Sequence, residues 1–215
     1  MQTISLERAV AMIPDGARLM IGGFMGVGTP EVLMDELVRQ GKRELTVIAN
    51  DTATPGAGIG KLIAAKLVRK AIVSHIGLNP ETQKQMLAGA TELDLVPQGT
   101  LIERVRAGGY GLGGILTPTG VGTVVEEGKR KIAVDGKDYL LETALRADFA
   151  LVQAVLADYL GNLTYALTAR NFNPIIAMAA DAVIVDAEHV VPTGVIAPDH
   201  VATPAPLVDY LVARG

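Results

Sequence analysis

The sequence predicts a three-layer α/β/α fold, in which helices cover both faces of a mostly parallel, open sheet. Short apolar runs of β type alternate with helical patterns along the chain, which is the order that βαβ units produce. Hydrophobic residues make up 49% of the chain, yet aromatic residues are only 4% and Trp is absent. A core of Val, Ile, Leu, Ala and Met suits strands that are buried on both faces. With 215 residues, we expect one domain spanning residues 1–215.

Predicted helices begin at recognisable caps. Ser5 is suited to cap the first helix, and Pro30 and Pro80 stand where a proline at a helix start costs no hydrogen bond. The predicted helices cover residues 6–12, 30–39, 59–68, 80–88, 100–107, 173–180 and 207–213.

Acidic residues in the second helix, Glu31, Asp35 and Glu36, are most simply a solvated face. The predicted core strands are apolar runs bounded by turn residues. They cover residues 19–21, 45–49, 71–76, 93–96, 149–155 and 182–186, with a short strand within 160–165.

Two segments depart from this alternation. Residues 131–141 read as a β-hairpin, because Asp135-Gly136 is a type I′ turn signal between two short strands. Residues 108–122 are rich in glycine yet also carry apolar side chains. This mixture predicts a backbone that bends closely around a ligand or another chain of an assembly.

Charge and composition exclude several classes of protein. The net charge is −4 with no basic stripe, so we expect no nucleic-acid partner. The absence of cysteine removes disulfides, thiolate nucleophiles and cysteine metal sites. His189 and His200 lack partners at metal-ligand spacing, which predicts no metal site. With no signal peptide and no apolar run long enough to span a bilayer, a cytoplasmic protein without membrane contact is expected.

The stretch DGARLMIGGFMGVGTP at residues 15–30 is the candidate binding element. A strand, a glycine loop and a helix start follow each other, and this arrangement places backbone N–H groups where they can bind an anionic or polar ligand. No Lys-Ser or Lys-Thr follows the glycines, and Phe24 and Pro30 do not fit a dinucleotide fingerprint. A tight strand-to-helix connection without a ligand explains the glycines equally well.

Three further residues lie at predicted strand ends, where open α/β sheets bind ligands. Asn50 is either a binding residue or an ordinary turn former. His75 is more simply a packed, hydrogen-bonded side chain than a ligand contact. Gln98 could donate its amide N–H₂ to a developing oxyanion, and otherwise it is a surface turn glutamine.

The stretch at residues 15–30 as a whole resembles the first signature of the family I (3-oxoacid) coenzyme A transferases. Every specified position of that signature is filled, by Asp15, Gly16, Leu19, Met20, Ile21, Gly22, Gly23, Phe24, Gly28 and Pro30. Further blocks at 97–111, 117–123, 161–162 and 169–174 look like those of the family's alpha subunits. The likeness covers nearly the full length and is strongest to bacterial subunits that act on acetate or acetoacetate.

The resemblance implies a CoA-transferase-like α/β/α fold and an alpha subunit that moves CoA from an acyl-CoA to a short-chain carboxylate. It implies CoA as a substrate, no permanently bound cofactor or metal, and a beta subunit in an α₂β₂ assembly. The attacking glutamate lies in a Ser-Glu-Asn-Gly type motif of the beta half, which this sequence lacks. Gln98 is then the oxyanion candidate. The implied CoA or acyl-CoA contacts are Gly23, Phe24, Met25, Gly26, Val27, Gly28, Thr29 and Pro30, with Asn50 beside them.

Other functions fit the same pattern. A non-catalytic module that binds an acyl-CoA or a sugar phosphate would use the same loops, because fold does not fix function. The corresponding chain of a succinyl-CoA:3-oxoacid CoA-transferase, or of a related lyase or hydrolase, also remains open. Within the CoA-transferases, the residues do not specify acyl chain length.

Overall fold

The structure is a computed structural model that describes residues 1–213. Its strands are β1 (Gln2–Ser5), β2 (Arg18–Ile21), β3 (Leu45–Ile48), β4 (Val68–Val73), β5 (Glu92–Leu95), β6 (Gly114–Thr117), β7 (Lys131–Val134), β8 (Lys137–Thr143), β9 (Ala147–Asp158), β10 (Leu163–Thr164), β11 (Ala180–Val191) and β12 (Tyr210–Ala213). Its helices are α1 (Leu6–Ala11), α2 (Glu31–Gln40), α3 (Ile59–Ala64), α4 (Pro80–Leu87), α5 (Gln98–Gly109) and α6 (Asn173–Ile176).

Within residues 1–213, the main sheet has nine strands and is open and mostly parallel, which confirms the predicted fold class. Its strand order is β1-β12-β11-β9-β2-β3-β4-β5, and only the short β10 pairs antiparallel, with β9. A separate antiparallel sheet has the order β6-β8-β7. Its β7–β8 hairpin turns at Asp135 and Gly136, whose φ angles of 50° and 75° agree with the predicted type I′ turn.

Helices cover both faces of the main sheet. Along β2, Leu19 and Ile21 face one core with side chains of α1 to α3, while Met20 faces the other core with α5 and α6. Successive strand residues point to opposite faces, so a strand with both faces buried must be apolar throughout. None of the helices in residues 1–213 has the length and apolarity that crossing a bilayer requires.

Helix caps agree with the sequence where a side chain or proline marks them. Ser5 Oγ accepts from the Arg8 N–H at 3.3 Å, and Gly41 ends α2 in the left-handed conformation. Asn79 caps α4, with Pro80 at its first position. These signals depend on neighbouring residues, so the sequence alone identifies these helix ends.

Some predicted helices are wrong in extent or type. Residues 207–213 were expected to be helical, but Tyr210–Ala213 forms β12, a parallel strand between β1 and β11. The predicted helix at 59–68 ends at Ala64, and the predicted helix at 173–180 ends at Ile176. The residues that follow each of these two helices enter β4 or β11, whose backbone hydrogen bonds to neighbouring strands outweigh local helix propensity.

The prediction that Glu36 lies on a solvated face is also wrong. Its residue is 4% exposed, and its carboxylate accepts from Arg39 at 2.6 and 2.5 Å and from Gln40 at 2.6 Å. Hydrogen bonds from Arg39 hold the pKa of Glu36 below its usual value. Within α2, Asp35 is the exposed acid, and it binds Lys61 at 2.6 Å.

The glycine-rich segment at 108–122 bends around the chain itself. A Cβ on Gly108 would lie 2.0 Å from the Leu145 carbonyl oxygen, and one on Gly114 would lie 2.4 Å from that of Glu142. Both glycines therefore let α5 and β6 lie directly against the backbone of residues 142–145. The close contact that the sequence predicted is made within this chain.

Candidate active site

The candidate site lies at one edge of the main sheet. Strands β2, β3, β4, β5, β9 and β11 are parallel, so their carboxyl ends meet at this edge, where open α/β sheets bind ligands. The glycine loop follows β2, Asn50 follows β3, and Gln98 follows β5. Strand β9 continues beyond the end of β2, since Gly22 still bonds to Leu151 O while β9 runs on to Asp158.

The glycine loop contains a miniature hairpin. Phe24 and Val27 exchange two backbone hydrogen bonds of 3.0 and 3.1 Å. Met25 and Gly26 between them have φ angles of 52° and 85°, the pattern of a two-residue type I′ turn. Positive φ is unusual for Met, so this conformation depends on contacts outside the turn.

Asp51 supplies one such contact. Its Oδ2 accepts from the Met25 N–H at 2.8 Å and from Asn50 Nδ2 at 2.8 Å, and its Oδ1 accepts from the Ala53 N–H at 2.7 Å. The residue is 5% exposed. Hydrogen bonds to an ionised carboxylate are stronger than those between neutral groups. Asp51 therefore holds the glycine loop against the end of β3. The sequence patterns above did not single out Asp51, although an acid directly after a buried strand is a usable signal.

Asn50, just after the end of β3, is 3% exposed. Its Nδ2 is held by Asp51, and the reverse amide orientation would set its Oδ1 against a carboxylate oxygen. Within residues 1–213, Oδ1 is buried without a hydrogen-bond partner. A buried unpaired acceptor is costly, so this oxygen is suited to an N–H or O–H donor on a ligand.

Asn173 anchors the other end of the loop. Its Nδ2 donates to Gly28 O at 2.9 Å and to Ala169 O at 3.1 Å, and its Oδ1 accepts from the Gln153 N–H at 3.0 Å. The side chain is fully buried. Asn173 thus joins the loop, β9 and a 3-10 helix (Leu167–Asn171). The sequence marked Asn173 only as a helix start.

A cleft of about 440 Å³ opens beside the loop. Its walls are residues 26–29 of the loop, Gln153 and Val155 of β9, Ala166, Leu167 and Ala169, and Asp186 and Glu188 of β11, with Glu31 at the start of α2. Gln153 Nε2 donates to Glu188 Oε1 at 2.6 Å. Three apolar side chains on the loop side of the cleft are exposed: Met25, Val27 and Leu167.

Gln98 lies at the first position of α5, half-buried. Its Nε2 donates to Asn171 Oδ1 at 3.2 Å. Asn171 ends the 3-10 helix that also carries Ala169. Ala169 packs closely on Gly28, because a Cβ added at Gly28 would lie 2.3 Å from Ala169 Cβ. One short helix therefore connects Gln98 with the glycine loop.

His75, expected to be packed, is exposed. Only its backbone joins the site, through a parallel bridge with Asp51. Within residues 1–213, no group of three or more His, Asp and Glu side chains is arranged to hold a metal ion.

Replacing Asp51 with Asn is expected to release the hairpin. One amide oxygen and one N–H₂ group cannot accept all three hydrogen bonds, and each buried donor left unpaired costs about 1–3 kcal/mol. We expect a comparable fall in the free energy of unfolding, measured by urea denaturation. Hydrogen exchange at the Met25 amide should become faster.

Asp158 provides the matched control. Its Oδ1 accepts the N–H groups of Leu160, Gly161 and Asn162 at 3.0, 2.9 and 2.9 Å. Asp158→Asn should also lower stability, while Met25 exchange stays unchanged. Equal Met25 exchange in the two variants would show that Asp51 does not hold the loop.

Known proteins resemble this chain both in sequence and in fold. Residues 3–214 match the family described as Coenzyme A transferase. The chain is 56% identical to the alpha chain of the acetate CoA-transferase of Escherichia coli K12, covering 97% of this chain and 95% of that protein. It is 48% identical to the acetoacetyl-CoA:acetate/butyrate CoA transferase alpha subunit of Clostridium acetobutylicum, covering 97% and 96%. An acyl-CoA transferase from Escherichia coli O157:H7, solved as a thioester complex with CoA, superposes with a TM-score of 0.87 at 25% identity, covering 99% of this chain and 47% of that one.

Proposed function

This chain belongs to the coenzyme A transferase family and is the alpha subunit of a CoA-transferase, and we propose that it acts with a beta subunit to move CoA between acetyl-CoA and short-chain carboxylates. CoA is a substrate in this proposal, and the protein carries no permanent cofactor or metal. The proposed assembly is an α₂β₂ heterotetramer in the cytoplasm. The alpha-subunit relatives from Escherichia coli and Clostridium acetobutylicum support acetate, butyrate and acetoacetate as the acids.

The observation that carries the proposal is the doubly anchored glycine loop. Asp51 holds its hairpin and Asn173 holds its end, so the backbone of residues 23–30 is positioned before any ligand arrives. A preorganised backbone binds without an ordering cost. We assign this loop, with the acceptor of Asn50, to binding the CoA part of the thioester, whose amide N–H groups match that acceptor.

The carboxylates of the cleft support the proposal of a second polypeptide. Glu31 accepts from the Gly58 N–H at 2.8 Å and pairs with Lys61 at 2.7 Å, Glu188 accepts from Gln153, and Asp186 is 1% exposed. These carboxylates are bound to groups of this chain or buried, and we assign the attacking carboxylate to the beta partner. The CoA-bound structural relative is about twice as long as this chain, which supports a partner that supplies the missing half.

The proposed chemistry is covalent catalysis. A glutamate carboxylate of the beta partner attacks the thioester carbonyl carbon, and the resulting oxyanion expels CoA as a thiolate to leave a mixed anhydride. The thiolate then attacks the glutamyl carbonyl of the anhydride and releases the donor acid. The acceptor carboxylate repeats these steps in reverse on the glutamyl-CoA thioester.

Gln98 is assigned to stabilise the oxyanion. Asn171 occupies one amide N–H of Gln98, which fixes the plane of the amide and leaves the second N–H as a donor. A fixed neutral donor stabilises developing negative charge without reorganising during the reaction.

Reconstitution tests the proposed function. The purified chain alone should show no exchange between acetyl-CoA and butyrate, and the chain mixed with its beta subunit should form butyryl-CoA with ping-pong kinetics. Succinate offered as the acceptor in the same assay tests the succinyl-CoA alternative. Activity of the chain alone would refute the requirement for a partner, and an inactive complex with all acyl-CoA and acid pairs would refute the function.

A further inference from the structure

A second pocket, of about 310 Å³, lies between the first turn of α5 and strand β6. Residues 99–100 and Glu103 form one wall, and Ile115, Leu116, Thr117 and Thr119 form the other. None of these residues lines the cleft beside the glycine loop, so the two spaces are separate.

The first turn of α5 carries the partial positive charge of a helix N-terminus. Helix α5 has 12 residues, and its N-cap residue Pro97 provides no side-chain hydrogen bond. No acidic residue occupies its first turn. The first N–H groups of a helix have no partner within the helix, and its dipole favours an anion there.

Thr100 independently indicates a ligand. The residue is 4% exposed, and within residues 1–213 its Oγ1 is buried without a hydrogen-bond partner. Buried hydroxyls are almost always hydrogen-bonded. The hydroxyl therefore lacks the acceptor that it requires, in a residue that forms the wall of a pocket.

The opposite wall adds one more donor and an apolar surface. Thr117 Oγ1 accepts from the Thr119 N–H at 3.1 Å, so the O–H hydrogen of Thr117 is still available to an acceptor. Ile115 and Leu116 present aliphatic side chains, and Leu116 is 42% exposed.

We propose that this pocket binds a short-chain carboxylate, with the carboxylate at the first turn of α5 and Thr100, and the alkyl chain on Ile115 and Leu116. That the carboxylate is a substrate acid rests on the proposed function; the binding itself does not. The pocket and Gln98 share one helical turn, which brings the acid to the part of α5 that carries the oxyanion donor.

Glu103 gives the pocket a preference for monocarboxylates. It lies in the same wall and is bound to Arg106 at 3.0 Å, with its side chain 46% exposed. A dicarboxylate would place its second charge near the Glu103 carboxylate, and like charges at short range repel. Acetate and butyrate should therefore bind better than succinate.

Thr100→Val tests the subsite, because it removes the hydroxyl while keeping the shape. An unpaired buried hydroxyl contributes nothing to folding, so the melting temperature should stay the same or rise. Butyrate binding to the full chain, followed by NMR of ¹³C-labelled butyrate, should weaken about tenfold, as for loss of one hydrogen bond to a charged group. In the reconstituted complex, KM for butyrate should rise more than kcat falls.

Thr91→Val is the control with the opposite pattern. Thr91 is 2% exposed, and its hydroxyl bonds to Val68 O at 3.1 Å and to Gln85 Oε1 at 3.0 Å. This variant should melt at a lower temperature and bind butyrate normally. Glu103→Gln should raise the affinity for succinate relative to butyrate.

Unchanged butyrate binding in Thr100→Val, or a loss of stability like that of Thr91→Val, would overturn the subsite. So would the absence of butyrate binding to both the chain and the complex. If butyrate binds in a Thr100-dependent manner while no acyl pair is exchanged, the subsite stands and the proposed function fails.

Discussion

Gln98→Ala is expected to lower kcat of the reconstituted complex about 10²-fold or more, with a small change in KM for the acyl-CoA. Loss of one oxyanion donor costs this much in enzymes where it has been isolated. The effect should fall on kcat because the oxyanion exists only in the transition state and the tetrahedral intermediate. Steady-state assays of CoA exchange at saturating acyl-CoA provide the measurement.

Gln83→Ala is the matched control for this prediction. Gln83 is also a glutamine near a helix start, but its Nε2 bonds to Ile76 O at 3.3 Å, whereas Gln98 bonds to the 3-10 helix that packs on the glycine loop. Its replacement should leave kcat unchanged. A wild-type rate for Gln98→Ala would remove Gln98 from the site, and equal losses in both variants would indicate a structural effect.

Local signals in the sequence predicted much of the fold. The glycine loop, the cap at Ser5, the helix start at Pro80 and the turn at Asp135-Gly136 each depend on neighbours within a few residues. Residues 207–213 show where such signals fail. Leu207, Val208, Leu211 and Val212 have helical spacing, yet pairing with β1 and β11 makes Tyr210–Ala213 a strand, since buried ladder hydrogen bonds outweigh local propensity.

The anchors of the site could not be predicted in the same way. Asp51 reaches Met25 across 26 residues of chain, and Asn173 reaches Gly28 across 145. A pattern search along the sequence identifies the flexible glycines, because their spacing is local. It does not identify the side chains that hold them, because those contacts exist only once β2, β3 and β9 lie side by side.

Gly28→Ala is expected to be strongly damaging to the loop. Gly28 has a φ of 80°, and an added Cβ would lie 2.3 Å from Ala169 Cβ and 3.0 Å from Asn173 Nδ2. Left-handed strain costs about 1–2 kcal/mol, and overpacking adds about 1–3 kcal/mol. We expect the free energy of unfolding to fall by about 2–5 kcal/mol, and CoA exchange to be largely lost even where the complex still forms.

Gly26→Ala separates backbone strain from the steric clash. The φ of Gly26, 85°, is close to that of Gly28, but a Cβ added at Gly26 would meet nothing within 4 Å. This variant should lose only the strain energy of about 1–2 kcal/mol. Urea denaturation of both variants, together with their KM for acetyl-CoA in the complex, compares the clash with the strain. Equal destabilisation would mean that contact with Ala169 and Asn173 is unimportant. A larger loss in Gly28→Ala would instead confirm that the end of the loop is held against the 3-10 helix, the same helix that orients Gln98 through Asn171.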